Sequence, residues 1–142
     1  MIKQISVFLE NKEGRLAEVI KTLADSGINI RALSIADTTD FGILRLIVND
    51  PETAFKVLTK AEFTVSVKEV LAIGITDELG SLSKVLQVLS ANSVIIEYVY
   101  AFLGKSGDEA MVILKVSDND KTVKALESVG VSVIGAQEVY KL

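Results

Sequence analysis

The stretch ISVFLENKEGRLAEVIKTLADSGINI, residues 5–30, decides the fold. At its start, apolar Ile5, Val7 and Leu9 alternate with other side chains, which is the period of a strand with one face in a core. After Gly14 the apolar spacing changes to that of an amphipathic helix, with Leu16, Val19, Ile20 and Leu23 on one face. β-branched residues from Ile28 onward predict a second strand. The segment is therefore predicted to form a strand, a helix and a second strand.

The same apolar skeleton returns 66 residues later in LAIGITDELGSLSKVLQVLSANSVII, residues 71–96. This shift places Gly14 on Gly80, and a two-residue insertion then changes it to 68, which places Phe63 on Val131. Self-similarity at a fixed period indicates repeated structural units. The chain is therefore a duplication of a unit of about 70 residues.

Each unit reads as βαββαβ, because a hairpin, a second helix and a fourth strand follow the opening segment. This order predicts an α+β fold of two tandem ferredoxin-like domains, each an antiparallel four-stranded sheet with two helices on one face. We place the domains at residues 1–69 and 70–142. Asp50 and Asp118 are predicted helix caps, and residues 131–139 the last strand.

Composition excludes several function classes. The 142 residues contain no cysteine and no histidine, which excludes a disulfide scaffold, a zinc finger, a thiol nucleophile and a Ser-His-Asp triad. We predict no catalytic residue, no metal site and no cofactor. With 19 acidic against 15 basic residues, which are scattered, nucleic acid is not an expected partner. No apolar run is long enough to cross a bilayer, so we expect a cytoplasmic protein without a membrane partner.

The mean hydropathy of +0.42 is high, and part of the excess lies on the second unit's middle strand. Strict alternation puts Ile96, Tyr98 and Tyr100 on one face and Val99 on the other, so both faces are apolar. Covered surface on both sides favours a homodimer formed through sheet edges or open sheet faces. An aromatic ligand pocket is the alternative.

Two loops join a first strand to a first helix, ENKEGRL at residues 10–16 and TDELGSL at residues 76–82. In both, Asn11 or Asp77 stands three residues before the glycine. The helix N-terminus that follows presents unpaired N–H groups and positive partial charge, which suit a carboxylate, while the Asn or Asp oxygen suits an ammonium group. Together they match the two ends of an α-amino acid. The alternative is a tight turn with a local cap.

A βαββαβ unit, a D/N-x-x-G-x-L loop, and Gly27-Ile28-Asn29-Ile30 at the second strand together resemble the ACT domain family, whose members sense amino acids. The resemblance covers the whole chain twice. It implies a ligand site at an interface between ACT domains, formed by the loop of one domain and the second-strand opening of its neighbour. Carried over by position, the ligand-binding residues are Asn11, Gly14, Arg15, Leu16, Asn29, Ile30, Asp77, Gly80, Ser81, Leu82, Ile95 and Ile96. Because Leu9 and Ile95 depart from the pattern of serine-sensing members, serine is not the predicted ligand.

The resulting prediction is a stand-alone regulatory module rather than an enzyme. It would bind a small amino acid or related metabolite and act allosterically on its own assembly or on an enzyme in trans. Two alternatives stay open: a structural oligomerisation module without a ligand, and a small ferredoxin-like enzyme. The acid or base of such an enzyme would be a Glu, Asp, Lys or Tyr side chain, and Asp77 and Glu78 are the close acidic pair at a probable site.

Overall fold

The computed structural model describes residues 1–37, 40–103 and 109–142. In chain order the elements are β1 (Ile2–Glu10), α1 (Arg15–Asp25), β2 (Ile30–Asp37), β3 (Phe41–Val48), α2 (Pro51–Lys60), β4 (Thr64–Thr76), α3 (Ser81–Ala91), β5 (Ile96–Ala101), β6 (Glu109–Val116), α4 (Asn119–Ser128), β7 (Ser132–Ile134) and α5 (Ala136–Tyr140).

The chain divides into two compact units that exchange their termini. The first unit contains Lys3–Lys68 together with Tyr140–Leu142, and the second contains Met1–Ile2 together with Glu69–Val139. Within the first unit, the backbone N–H of Lys3 donates to the Tyr140 hydroxyl at 2.9 Å, and the Arg31 guanidinium donates to the Tyr140 carbonyl at 3.1 Å. The domain boundary between residues 69 and 70 stays a prediction.

In the first unit the strand order is β2-β3-β1-β4, with β3 antiparallel to β1 and β2. Alternate residues of β1 and β3 pack against α1 and α2 in one buried cluster, because their period matches the pleat. The cluster comprises Ile5, Val7, Leu9, Val19, Leu23, Ile28, Leu44, Leu46, Val48, Ala54, Leu58 and Phe63.

The second unit repeats this arrangement. β6 is antiparallel to β4 and β5, and β7 pairs with β4. Its buried cluster again joins the sheet to both helices and comprises Leu71, Ile73, Val85, Leu89, Val94, Val112, Leu114, Val116 and Leu126. The predicted pair of ferredoxin-like domains is confirmed.

The predicted last strand over residues 131–139 is wrong in its second half. Strand β7 is only three residues long, and α5 follows Gly135. The N–H of Val139 donates to the carbonyl of Gly135 at 3.1 Å, and the Val139 side chain is fully buried. Alternating valines predicted a strand here, but Ala136, Gln137 and Glu138 favour a helix once the glycine has interrupted the strand.

The predicted face of Ile96 is also wrong, because a β-bulge interrupts the alternation. Ile96 pairs with Val116 whereas Tyr98 pairs with Lys115, so one residue of β5 is extra. Ile96 consequently packs against the helix-side core. Tyr98 and Tyr100 lie on the opposite face, with ring centroids 6.3 Å apart. A bulge occurs at the equivalent place in β2, between Ile30 and Ala32.

Helices α2 and α4 have conventional N-caps, which confirms the interpretation of Asp50 and Asp118. The carboxylate of Asp50 accepts from the Thr53 N–H at 3.1 Å, and that of Asp118 accepts from the Lys121 N–H at 3.0 Å. Pro51 occupies the first helical position. In the described part of the chain, no helix is both long and apolar enough to span a membrane.

We expect Asp118→Ala to lower the free energy of unfolding by about 1 kcal/mol, because the substitution removes a side-chain cap from α4. Chemical denaturation followed by circular dichroism measures this. Asp118→Asn keeps a capping oxygen and is the matched control. Equal losses in the two variants would contradict the capping role.

The α2 cap predicts a pH dependence. Hydrogen bonds from the Thr53 hydroxyl and N–H hold the pKa of Asp50 below its usual range, and Lys56 contributes a smaller lowering. Because the folded pKa is the lower one, the stability contributed by ionised Asp50 is present above its unfolded pKa near 4 and is lost as the pH falls through the folded value. A titration of unfolding free energy in acid should therefore fall less steeply in Asp50→Asn than in the unsubstituted chain.

Candidate functional site

The first helix of each unit begins at a glycine in the left-handed region. Gly14 precedes α1 with φ 83°, and Gly80 precedes α3 with φ 85°. No side chain caps either helix among the described residues, in contrast to α2 and α4. The first intrahelical bonds run from the N–H of Glu18 to Gly14 and from the N–H of Lys84 to Gly80, each at 3.0 Å. The N–H of Arg15 donates to the Lys12 carbonyl at 3.3 Å and that of Ser81 to the Glu78 carbonyl at 3.2 Å, so the N–H groups of the second and third helical residues are the ones that a ligand could use.

In the first unit, Asn11 and Arg15 flank this glycine. The N–H of Asn11 donates to the Asp40 carbonyl at 2.9 Å, which holds the loop against the start of β3. The Lys12 ammonium lies 2.7 Å from the Glu10 carboxylate and lowers its pKa, with a smaller contribution from Arg15. Leu16 is partly exposed on the first turn of α1.

In the second unit, Asp77 lies in the loop before Gly80. The Ser81 hydroxyl is 2.6 Å from the Thr76 hydroxyl, which joins the first turn of α3 to the end of β4. Leu82 is partly exposed, as its counterpart Leu16 is.

The second-strand openings are held in the same way in both units. The N–H of Asn29 donates to the Asn49 side-chain oxygen at 2.8 Å, and the Asn29 carbonyl accepts from the Asn49 N–H at 3.1 Å. Ile95 makes the equivalent pair with Ser117, at 3.1 and 2.9 Å, and is 68% exposed. The following residues, Ile30 and Ile96, are partly buried against their cores.

No single unit brings its loop and its strand opening together. Helix α1 has 11 residues and so spans about 16 Å. Gly14 lies at the beginning of this helix and Asn29 comes after its end, so the two elements lie at opposite ends of α1. The same holds for Gly80 and Ile95 about α3. A site that uses both elements therefore requires a neighbouring unit.

A pocket of about 680 Å³ opens within the second unit, beside the first turn of α3. Of the predicted site residues, Ser81 lines it. The other walls are the loop between β4 and α3, the exposed flank of α3, the end of β4, the start of β6 and the turn before β7. These walls contribute Gly74, Ile75, Thr76, Glu78, Leu79, Lys84, Val85, Gln87, Val88, Ala91, Glu109, Val129, Gly130, Val131 and Ser132.

Sequence reasoning missed this pocket. Most of its lining residues lie outside the glycine loop, and those outside it do not form a recognisable sequence motif. The signal that could have revealed it is a comparison of the repeats position by position, which shows smaller side chains in the second unit where the first has Arg15 and Phe63.

Comparison with known proteins identifies the family. A family model described as an ACT domain pair matches residues 1–142, so the chain belongs to this family. A protein from Bacteroides thetaiotaomicron has a similar crystal structure, with a TM-score of 0.93 and 44% identity over 99% of this chain and 96% of that chain. No curated protein sequence matches.

The regulatory subunit of aspartate kinase from Thermus thermophilus, in its ligand-free form, has a TM-score of 0.66. It is 17% identical over 90% of this chain and 92% of that chain. The equivalent subunit from Thermus flavus has a TM-score of 0.62 at 16% identity, over 89% of this chain and 90% of that chain. These two likenesses show the fold alone.

We expect Gly14→Ala and Gly80→Ala each to lower the free energy of unfolding by about 1–2 kcal/mol, because an L-residue pays that cost in the left-handed region. No atom lies within 4 Å of an added Cβ at either position, so crowding contributes nothing. Denaturant titration measures the change. Gly135→Ala adds a Cβ in equally open space without a positive φ, and a loss as large there would contradict this explanation.

Proposed function

We propose that the chain is an amino-acid-binding regulatory module and not an enzyme. The observation that carries the proposal is the pair of uncapped helix N-termini at Gly14 and Gly80. Each would receive the ligand carboxylate on backbone N–H groups. Asn11 or Asp77, three residues earlier, would bind the ammonium group.

The contrast between the helices supports a ligand role. In this chain aspartate side chains cap α2 and α4, so side-chain capping is used elsewhere in the same fold. At α1 and α3 it uses glycines, which leave the first N–H groups without a side-chain acceptor. Positive partial charge from aligned peptide dipoles then favours a bound anion.

A complete site would include the strand opening of a neighbouring ACT unit. In that case Asn29 and Ile30, or Ile95 and Ile96, would contact the ligand side chain. Arg15, Leu16, Ser81 and Leu82 would line the carboxylate end. The different residues at the two openings, Asn29 and Ile95, would give the two sites different ligand preferences.

We place this module in the cytoplasm as a homodimer that acts on a separate enzyme or on its own assembly. The regulatory subunit of aspartate kinase from Thermus thermophilus shares the fold and supports action in trans. Ligand binding at a seam between units would shift the population of assembled states, since a ligand stabilises the state that it binds better.

A thermal-shift screen against the common amino acids and their 2-oxo acids tests the proposal. A ligand present at 100 times its Kd should stabilise the folded chain by about 2.7 kcal/mol. Sedimentation velocity with and without that ligand then reports the change in assembly. A flat response to the whole panel would instead favour a structural oligomerisation module.

Charge variants at the third helical position locate the binding site. Ala17→Glu and Ser83→Glu place a carboxylate at the helix N-terminus, where it competes with a ligand anion while favouring the helix. We expect loss of amino-acid binding without loss of folding. Ala17→Gln and Ser83→Gln are neutral controls of the same shape. An equal loss of amino-acid binding in them would contradict binding of the ligand carboxylate at the helix N-terminus.

A further inference from the structure

The two units differ most at the place where the second unit has its pocket. In the first unit, the Arg15 guanidinium lies over the Phe63 ring, 4.7 Å from its centroid, and is paired with Glu18 at 2.6 Å. Phe63 itself is buried. The unit therefore covers this place with its own side chains, and stacking with a cation–π contact stabilises the arrangement.

The second unit lacks all three of these side chains. Ser81 stands at the position of Arg15, Lys84 at that of Glu18, and Val131 at that of Phe63. All three replacements line the pocket. The second unit therefore has neither the guanidinium nor the ring, and the positive Lys84 stands where the first unit has the negative Glu18.

The flank of the helix has changed in the same direction. In α1, Lys21 and Asp25 form an ion pair at 2.6 Å on this flank. Their counterparts in α3 are Gln87 and Ala91, and Val88 replaces Thr22. Uncharged residues therefore stand where the first unit has its ion pair, and Leu79, at the position of Glu13, is fully exposed beside them.

The wall of the pocket formed by β4 and β6 lacks an aromatic pair that the first unit has at the equivalent place. In the first unit, the rings of Phe8 and Phe41 are 4.8 Å apart. The counterparts are Gly74 and Glu109, and the Glu109 carboxylate lies across Gly74 so closely that a Cβ there would collide with it. One glycine and one acid consequently stand where the first unit has two rings along the same edge.

We propose that the second-unit pocket binds a small aliphatic carboxylate, with the carboxylate at Lys84 and the branched hydrocarbon body against Val85, Val88 and Val131. The ligand would supply the charge and bulk that the first unit takes from Glu18, Arg15 and Phe63. A volume of about 680 Å³ is in the range of small-molecule sites. Aliphatic amino acids carry this chemistry with an added ammonium group, for which Glu109 is an acceptor. The proposal predicts one such site per chain.

This site shares Ser81 with the helix N-terminus of the proposed function, but its ligand would lie along the flank of α3 and would need no neighbouring unit. Its ligand needs a carboxylate and an aliphatic body but no ammonium group. Its failure can therefore be separated from failure of the proposed amino-acid function by using a probe that lacks the amino group.

The test is isothermal titration of the full chain with 4-methylpentanoate, beside 4-methylpentan-1-ol, 4-methylpentan-1-amine and leucine. We expect 4-methylpentanoate to bind with a stoichiometry of one, at least about tenfold more tightly than the alcohol or the amine, since a charge-assisted contact contributes that much. Lys84→Gln should remove this preference, while Lys121→Gln, on α4, should not.

Exchange of residues between the repeats gives the sharpest controls. The triple variant Ser81→Arg, Lys84→Glu and Val131→Phe should fill the pocket and abolish binding of 4-methylpentanoate. The reciprocal variant, Arg15→Ser, Glu18→Lys and Phe63→Val, should raise the stoichiometry to two. Val131→Phe alone serves if the first triple variant does not fold.

Binding of 4-methylpentanoate that survives pocket filling, or equal binding of the alcohol, would overturn the proposal. Leucine binding that is lost in Ser83→Glu but kept in Val131→Phe would overturn it and leave the proposed function standing. Binding of 4-methylpentanoate without binding of any amino acid would support this pocket and remove the proposed function.

Discussion

The turn from first strand to first helix is the constraint on which the rest of each unit depends. The chain must leave the sheet, reverse and begin a helix within four residues, and a left-handed glycine makes this possible. The turn sets where α1 and α3 begin and therefore which of their faces packs on the sheet. It also leaves both helices without a side-chain cap, so the same glycine determines both the packing of the helix and the candidate ligand site at its N-terminus.

Duplication preserved this turn and changed what surrounds it. The glycines, the β-bulges and the paired strand openings occur twice with little variation, because each determines backbone geometry. Most side chains along the helix flank are free to differ, since they lie outside both buried clusters. The first unit fills its flank with Arg15, which lies over Phe63 and is paired with Glu18, while the second leaves an open pocket with both polar and apolar walls. Two copies of one fold can in this way acquire different ligand chemistry.

The sequence predicted those parts of the fold that rest on periodicity and local chemistry. The repeat, the order βαββαβ, the caps at Asp50 and Asp118 and the glycine turns all follow from patterns within a few residues. Periodicity failed where one extra residue or one glycine interrupts it. The bulge places Ile96 on the face opposite to the predicted one. The strand predicted through residue 139 ends before Gly135. The pocket depends on which side chains are missing relative to the other repeat, so no motif could reveal it. The predicted ligand residues are in the expected loops and strand openings, and their role stays a prediction.

The exchange of termini between the units affects how the protein is made. The hydroxyl and carbonyl of Tyr140 belong to the first unit through Lys3 and Arg31. Translation proceeds from the amino terminus, so the ribosome synthesises the entire second unit before Tyr140 emerges. The first unit can collapse around its own core earlier, but its last contacts must form after translation of the rest of the chain.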